Sequence, residues 1–206
     1  MKKYILVIVF IGIIILLIFL FTSHKTITQS PSTQQIVSVT MKQQKNNSMK
    51  ITSSAFANNG TIPSKYTCDG QSINPPLAFA DVPNAAKSLV LLMDDPDVPK
   101  SLLPSGVFDH WVVYNIPPSV HEIAENTVPS GVSQGLNGAG QEKYTPPCPP
   151  DREHRYFFKL FALDTTLAFE NPSKVSKQMV IDKMQGHIIG EAELVGLYNR
   201  PQNQGK

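Results

Sequence analysis

The stretch Tyr156-Phe-Phe-Lys-Leu-Phe-Ala-Leu163 decides the fold class. It is short, aromatic and aliphatic, as a strand buried on one or both faces should be. Working outward from it, two more runs share that character: Ser88-Leu-Val-Leu-Leu-Met93 and Trp111-Val-Val-Tyr-Asn-Ile116. Pro, Gly, Asn and Asp separate them, the punctuation expected of strands joined by structured loops. The chain has 17 prolines. They cluster in Asn74-Pro-Pro, Ile116-Pro-Pro and Pro146-Pro-Cys-Pro-Pro150, where no ladder N–H is needed. This pattern predicts a mostly β, α+β domain with rigid loops.

One helix is expected near the C-terminus. Asn171 suits an N-cap, Pro172 the first helical position, and Val175, Met179 and Met184 approximate one apolar stripe ending at Gly186. The last apolar stretch, residues 187–198, alternates loosely and fits either a strand or a short helix. The run Gly131-Val-Ser-Gln-Gly-Leu-Asn-Gly-Ala-Gly140 lacks the Lys-Ser/Thr ending of a phosphate loop and is taken as a mobile connector.

At 206 residues, 41% hydrophobic and 17% charged, the chain holds enough apolar material for one ordinary core. Its formal charge of +2 comes from scattered basic residues, not from a basic stripe, which argues against a nucleic-acid partner. Lys2 and Lys3 precede an almost unbroken apolar run over residues 4–21. A bilayer-spanning helix needs about 20 such residues, and no A-x-A-like cleavage site follows. Residues 1–22 are therefore expected to be an uncleaved transmembrane anchor, with a cleaved signal as the alternative. In either case the rest of the chain is exported, because the leading lysines favour the cytoplasmic side. Residues 23–50 are Ser-, Thr-, Gln-, Asn- and Lys-rich and suit a flexible tether. The globular domain then spans 51–200, with a tail over 201–206.

Each strong strand candidate carries a polar residue at one end. The first runs into Asp94-Asp95-Pro96-Asp97, the second is entered through Asp109-His110, and the third through His154-Arg155. Taken singly, an Asp before Pro is a turn element and a His at a strand end an ordinary hydrogen-bonded residue. Together, two imidazoles and a guanidinium donate to an anion, while Asp95 sets a His tautomer or accepts from a ligand amine. Zinc competes for such residues, but no H-E-x-x-H or paired C-x-x-C spacing is present. No metal or cofactor is expected. No G-x-S-x-G elbow appears either, so an enzyme is not expected and a cryptic hydrolase using His110 or His154 as base ranks last.

Asp95-Pro-Asp-Val-Pro99, Asp109-His-Trp-Val-Val-Tyr-Asn-Ile116, Pro147-Cys-Pro-Pro150 and His154-Arg-Tyr156 occur in that order. Ile62-Pro-Ser-Lys-Tyr-Thr-Cys-Asp-Gly70 and Gly190-Glu-Ala-Glu-Leu-Val-Gly196 add to them. In these motifs the sequence resembles the phosphatidylethanolamine-binding protein family, in its bacterial, Raf kinase inhibitor-like branch. The resemblance implies a central antiparallel β-sheet, a smaller second sheet and a few peripheral helices. It also implies a pocket for a small anion or phosphate-bearing head group, lined by Asp95, His110, Pro150 and His154. Asp97, Trp111, Tyr144 and Arg155 would support its walls. A protease or kinase inhibited through the pocket rim is the alternative partner.

Two departures from the family pattern bear on the ligand. Thr145-Pro146 stands where bacterial relatives usually have Gly-Gly, which stiffens the loop and removes a backbone donor. Asp151-Arg152 stands where small residues are common. Cys68 and Cys148 both fall within motif segments, and export would place them where a pair becomes a disulfide. A Cys68–Cys148 bridge is expected, in a domain that is periplasmic or extracellular.

Overall fold

A computed structural model describes residues 48–201. The anchor expected at 1–22 and most of the tether lie outside the described residues. No helix among the described residues is long and apolar enough to cross a membrane.

Among the described residues, nine strands form two sheets. In chain order they are β1 (Lys50–Thr52), β2 (Gly60–Thr61), β3 (Leu77–Ala80), β4 (Ser88–Asp95), β5 (Phe108–Ile116), β6 (Glu122–Ile123), β7 (Ser133–Gln134), β8 (His154–Leu163) and β9 (Ile188–Tyr198). The large sheet has the order β2-β9-β8-β4-β5-β7 and the small one β1-β3-β6. Neighbours are antiparallel except β2 with β9. The three apolar runs are thus β4, β5 and β8, three of the four inner strands of the large sheet, and the fold is mostly β with two sheets.

Every residue of β4 is buried because both faces of this central strand are covered. On one face, Leu91, Met93, Trp111, Val113, Tyr156, Phe158 and Leu160 pack against Ile51, Leu77, Phe79 and Ile123 from the small-sheet side. On the other, Val90, Leu92, Val112 and Tyr114 pack against Leu167, Val175, Val180 and Met184. Each such side chain contributes about 1.5–3 kcal/mol by leaving water.

The helix, α1, spans Lys177–Met184 and is shorter than the sequence pattern predicts. Pro172–Lys174 form a 3-10 turn, and Val175 is extended. The reason lies in packing: Val175 is fully buried, and its carbonyl accepts the backbone N–H of Leu136 at 2.7 Å, which draws it out of helical geometry. Ser176, not Asn171, is the N-cap, its hydroxyl accepting from the Met179 N–H. Met179 is 40% exposed, so Val175, Val180 and Met184 make the buried stripe. Gly186, at φ +80°, ends the helix as expected.

The 131–140 run is also not a loose connector. Ser133 and Gln134 pair with Tyr114 and Val113 as β7. Its glycines permit close approach: a Cβ at Gly135 would lie 2.7 Å from the Val175 carbonyl oxygen, and one at Gly138 2.7 Å from the Phe108 ring. The ambiguous stretch after Gly186 is β9, which pairs with β8 along almost its whole length.

Candidate functional site

Antiparallel pairing brings the C-terminal end of β4 beside the N-terminal ends of β5 and β8. Alternation along β4 sends Asp95 to the side of Leu91 and Met93, and Asp94 to the side of Val90 and Leu92. On β8, His154 follows the parity of Tyr156 and Phe158 and faces the same side as Asp95. His110 would alternate away from that side, but β5 carries a bulge. Met93 pairs with Trp111 and Asp94 with Asp109, which leaves His110 as the extra residue. The bulge re-aims His110 toward Asp95.

The three side chains meet. His154 Nδ1 and Asp95 Oδ2 are 2.7 Å apart, and His110 Nε2 is 4.0 Å from the same oxygen. The other carboxylate oxygen, Asp95 Oδ1, accepts the Asp97 backbone N–H at 2.9 Å, the turn chemistry expected of Asp before Pro. All three residues are buried, with His154 wholly so.

The histidines differ in charge. Burial pulls the His154 pKa down, but hydrogen bonds to Asp95 and to Asp151, whose Oδ1 lies 2.8 Å from Nε2, outweigh it and hold it above the ordinary value. His154 is the charged partner, donating from both nitrogens. His110 has its pKa lowered by burial, only partly offset by the Thr145 carbonyl and Asp95. Its Nδ1 sits 2.7 Å from the Thr145 carbonyl oxygen. Because a carbonyl only accepts, the neutral ring carries its proton on Nδ1 and presents a bare Nε2 toward Asp95.

The supporting residues brace this centre. Arg155 grips Asp97 with Nε–Oδ2 and Nη2–Oδ1 contacts of 2.8 Å each. That pairing holds the Asp97 pKa down at about 2. Trp111 is fully buried, donates to Gln134 Oε1 at 2.8 Å, and packs edge-on against Tyr144. The Tyr144 hydroxyl donates to the Tyr66 carbonyl oxygen at 2.9 Å, and burial pushes its pKa far up. Pro150 is exposed. The residue that reaches the centre from its loop is the next one, Asp151.

Cys68 and Cys148 are disulfide-bonded, with Cα atoms 5.4 Å apart. The bridge fastens the loop that carries Thr145 and Asp151 to the segment around Tyr66.

A phosphatidylethanolamine-binding protein profile matches residues 52–199. The chain belongs to the phosphatidylethanolamine-binding protein family. A UPF0098 protein of Chlamydia trachomatis is 50% identical over 152 residues, covering 74% of this chain and 99% of the relative. One from Methanothermobacter thermautotrophicus is 48% identical, with the same coverage. Among solved structures, a phosphatidylethanolamine-binding protein homolog of Chlamydia trachomatis superposes with a TM-score of 0.72 at 49% identity, covering 75% of this chain and 99% of its own. The E. coli member YbcL superposes with a TM-score of 0.66 at 26% identity, covering 74% and 98%.

Two features of the site escape sequence reading. One is the bulge at His110. The other is Asn137, buried within the Gly-rich run. Its amide donates to the Lys143 carbonyl oxygen at 2.9 Å and to Thr145 Oγ1 at 2.8 Å. Its carbonyl accepts from the N–H groups of Ala139 and Gln141. Asn137 thus holds in place the segment whose Thr145 carbonyl fixes the His110 tautomer. A buried Asn between glycines is the only sequence signal of this role.

Proposed function

We propose that the domain is a binding protein whose ligand site is the Asp95, His110 and His154 centre, taking a small anion or a phosphate-bearing head group. The observation that carries the reading is the buried, charged His154 ring, with its Nε2–H turned toward the 149–152 loop at the surface. Charge-assisted hydrogen bonds of this type are about twice as strong as neutral ones. The fully buried Tyr156 hydroxyl lies on the same face, beside Asp95 and the Cys148 backbone, and burial first and Asp95 second push its pKa far up, so it remains a neutral hydroxyl at the site. Family membership supports a binding role.

The test is a titration of the isotopically labelled full-length chain with inorganic phosphate or O-phosphoethanolamine, observed at the imidazole signals. The signals should move in the wild type and stay still in His154→Ala and His110→Ala. A response that survives both substitutions overturns the reading.

The proposal extends to location. The apolar 4–21 run behind Lys2 and Lys3 supports a domain tethered outside the cytoplasm, and the disulfide between Cys68 and the exposed Cys148 suits an oxidising compartment. Protease added to intact spheroplasts should remove the domain. Protection of the domain there, with cleavage only after lysis, would place it inside.

A further inference from the structure

We infer that Asp151 is a tethered occupant of the anion site, its carboxylate sitting on His154 Nε2 where a ligand oxygen must bind, so that ligand enters by displacing it. This rests on the binding role proposed above. The geometry is direct. Asp151 Oδ1 is 2.8 Å from His154 Nε2, and the imidazole is completely excluded from solvent while the Asp151 side chain is 45% exposed. The carboxylate is therefore on the solvent side of the ring and is part of what covers it.

The surroundings favour a cover that can move as a unit. Asp151 follows Pro149 and Pro150 and precedes Arg152, and all three of residues 151–153 are exposed. Arg152, itself exposed, makes a 3.4 Å contact to the Asp97 carbonyl oxygen, a 3.0 Å bond to the Glu153 carbonyl oxygen and a 3.9 Å ion-pair contact with Asp97 Oδ1. Besides His154, the Asp151 carboxylate is held by the Arg152 backbone N–H and the Arg152 charge, which belong to the same loop and travel with it. The core of the site, by contrast, is fixed by Asp95, the Thr145 carbonyl and the disulfide.

The consequence is selectivity. With Asp151 seated, His154 is flanked by two carboxylates, and a further anion arriving at Nε2 meets repulsion as well as a filled position. A short tether presents its group at an effective concentration in the millimolar range or above. Free carboxylates and other weak monoanions lose that competition. A phosphate, with close to two charges and three strong acceptor oxygens, is the chemistry able to displace a carboxylate. If the cover is seated nine-tenths of the time or more, apparent affinity is reduced about tenfold or more.

The experiment compares wild type, Asp151→Ala, Asp151→Asn and Glu153→Gln as full-length chains, titrated calorimetrically with inorganic phosphate and with O-phosphoethanolamine. Both Asp151 variants should bind at least about tenfold more tightly than wild type, with Glu153→Gln unchanged. A gain with either probe sustains the inference, and the probe preferred tells a free phosphate from a head group. Measurable binding without that gain overturns the cover and leaves the site reading intact. An equal gain in Glu153→Gln also overturns it, since any lost negative charge would then suffice. No binding by any variant overturns the cover together with the site reading. Asp151→Asn preserves the side-chain shape, so a folding defect in the Ala variant does not void the comparison.

Discussion

His154 donates Nδ1–H to Asp95 Oδ2 at 2.7 Å across 59 residues of sequence, with both side chains almost fully removed from water. Removing one partner of a buried charge pair is strongly destabilising, by about 3–5 kcal/mol, because the other charge stays behind. Asp95→Asn keeps an acceptor and takes away the charge. We expect it to cost about 3 kcal/mol in urea unfolding and to lower the His154 pKa in an imidazole NMR titration. An unchanged His154 titration would mean that Asp151 alone sustains the charge.

The two histidines impose opposite pH dependences. His154 is shifted up from 6.5, so its contribution is complete below that value and disappears as pH rises through the raised pKa. His110 is shifted down from 6.5, so its contribution is complete above that value and disappears as pH falls toward the lowered pKa. Thermal stability in phosphate-free buffers of constant ionic strength should therefore peak near pH 6.5, the ordinary histidine value. His154→Asn should flatten the alkaline limb and His110→Asn the acid limb. A profile with no maximum there contradicts the charge assignment.

Much of this was legible in the sequence because burial on both faces leaves a plain mark. β4, β5 and β8 are continuous apolar runs, and the polar ends Asp95, His110 and His154 stand out against them. Their meeting was not legible from the residues alone, since register is a property of paired strands and a bulge carries no fixed signature. Asn171 carries a local capping signal, but the long-range bond from Leu136 to Val175 overrides it and moves the helix start to Ser176. The 131–140 run looked loose because glycine signals freedom in isolation, whereas here it allows contact with Val112, Val175 and Phe108. Asp151 was visible as a departure from the family pattern, but its contact with His154 depends on the path of the loop.

Asn137 offers a test of how the loop supports the site. Its side chain makes four hydrogen bonds across residues 139–145, each worth about 1 kcal/mol net. Asn137→Ala should cost about 2–3 kcal/mol, since the groups near the surface regain water. Loosening this segment also admits water around His110 and weakens the grip of the Thr145 carbonyl. The effect of burial dominates the His110 shift, so its pKa should rise toward 6.5 in the variant. Lost stability without that rise would make Asn137 a scaffold residue only.

The disulfide joins residues 80 apart in sequence, a span for which the chain-entropy model gives about 4.5 kcal/mol of stabilisation. Cys148 is exposed, so reductant should reach it without global unfolding. The bridge does not act alone on its loop: the Cys68 N–H donates to the Pro147 carbonyl oxygen at 3.0 Å and the Tyr144 hydroxyl to the Tyr66 carbonyl oxygen at 2.9 Å. These bonds predict that the reduced domain stays folded with its loop near the native position. Thermal unfolding should then fall on adding reductant in the wild type and not in a Cys68→Ser/Cys148→Ser double variant, which should start from the lower value. Because Thr145 and Asp151 flank Cys148, the imidazole signals of His110 and His154 should also shift on reduction, whereas resonances of the small sheet around Phe79 should not. Equal shifts in both regions would mean that the bridge holds the whole fold together and not this loop in particular.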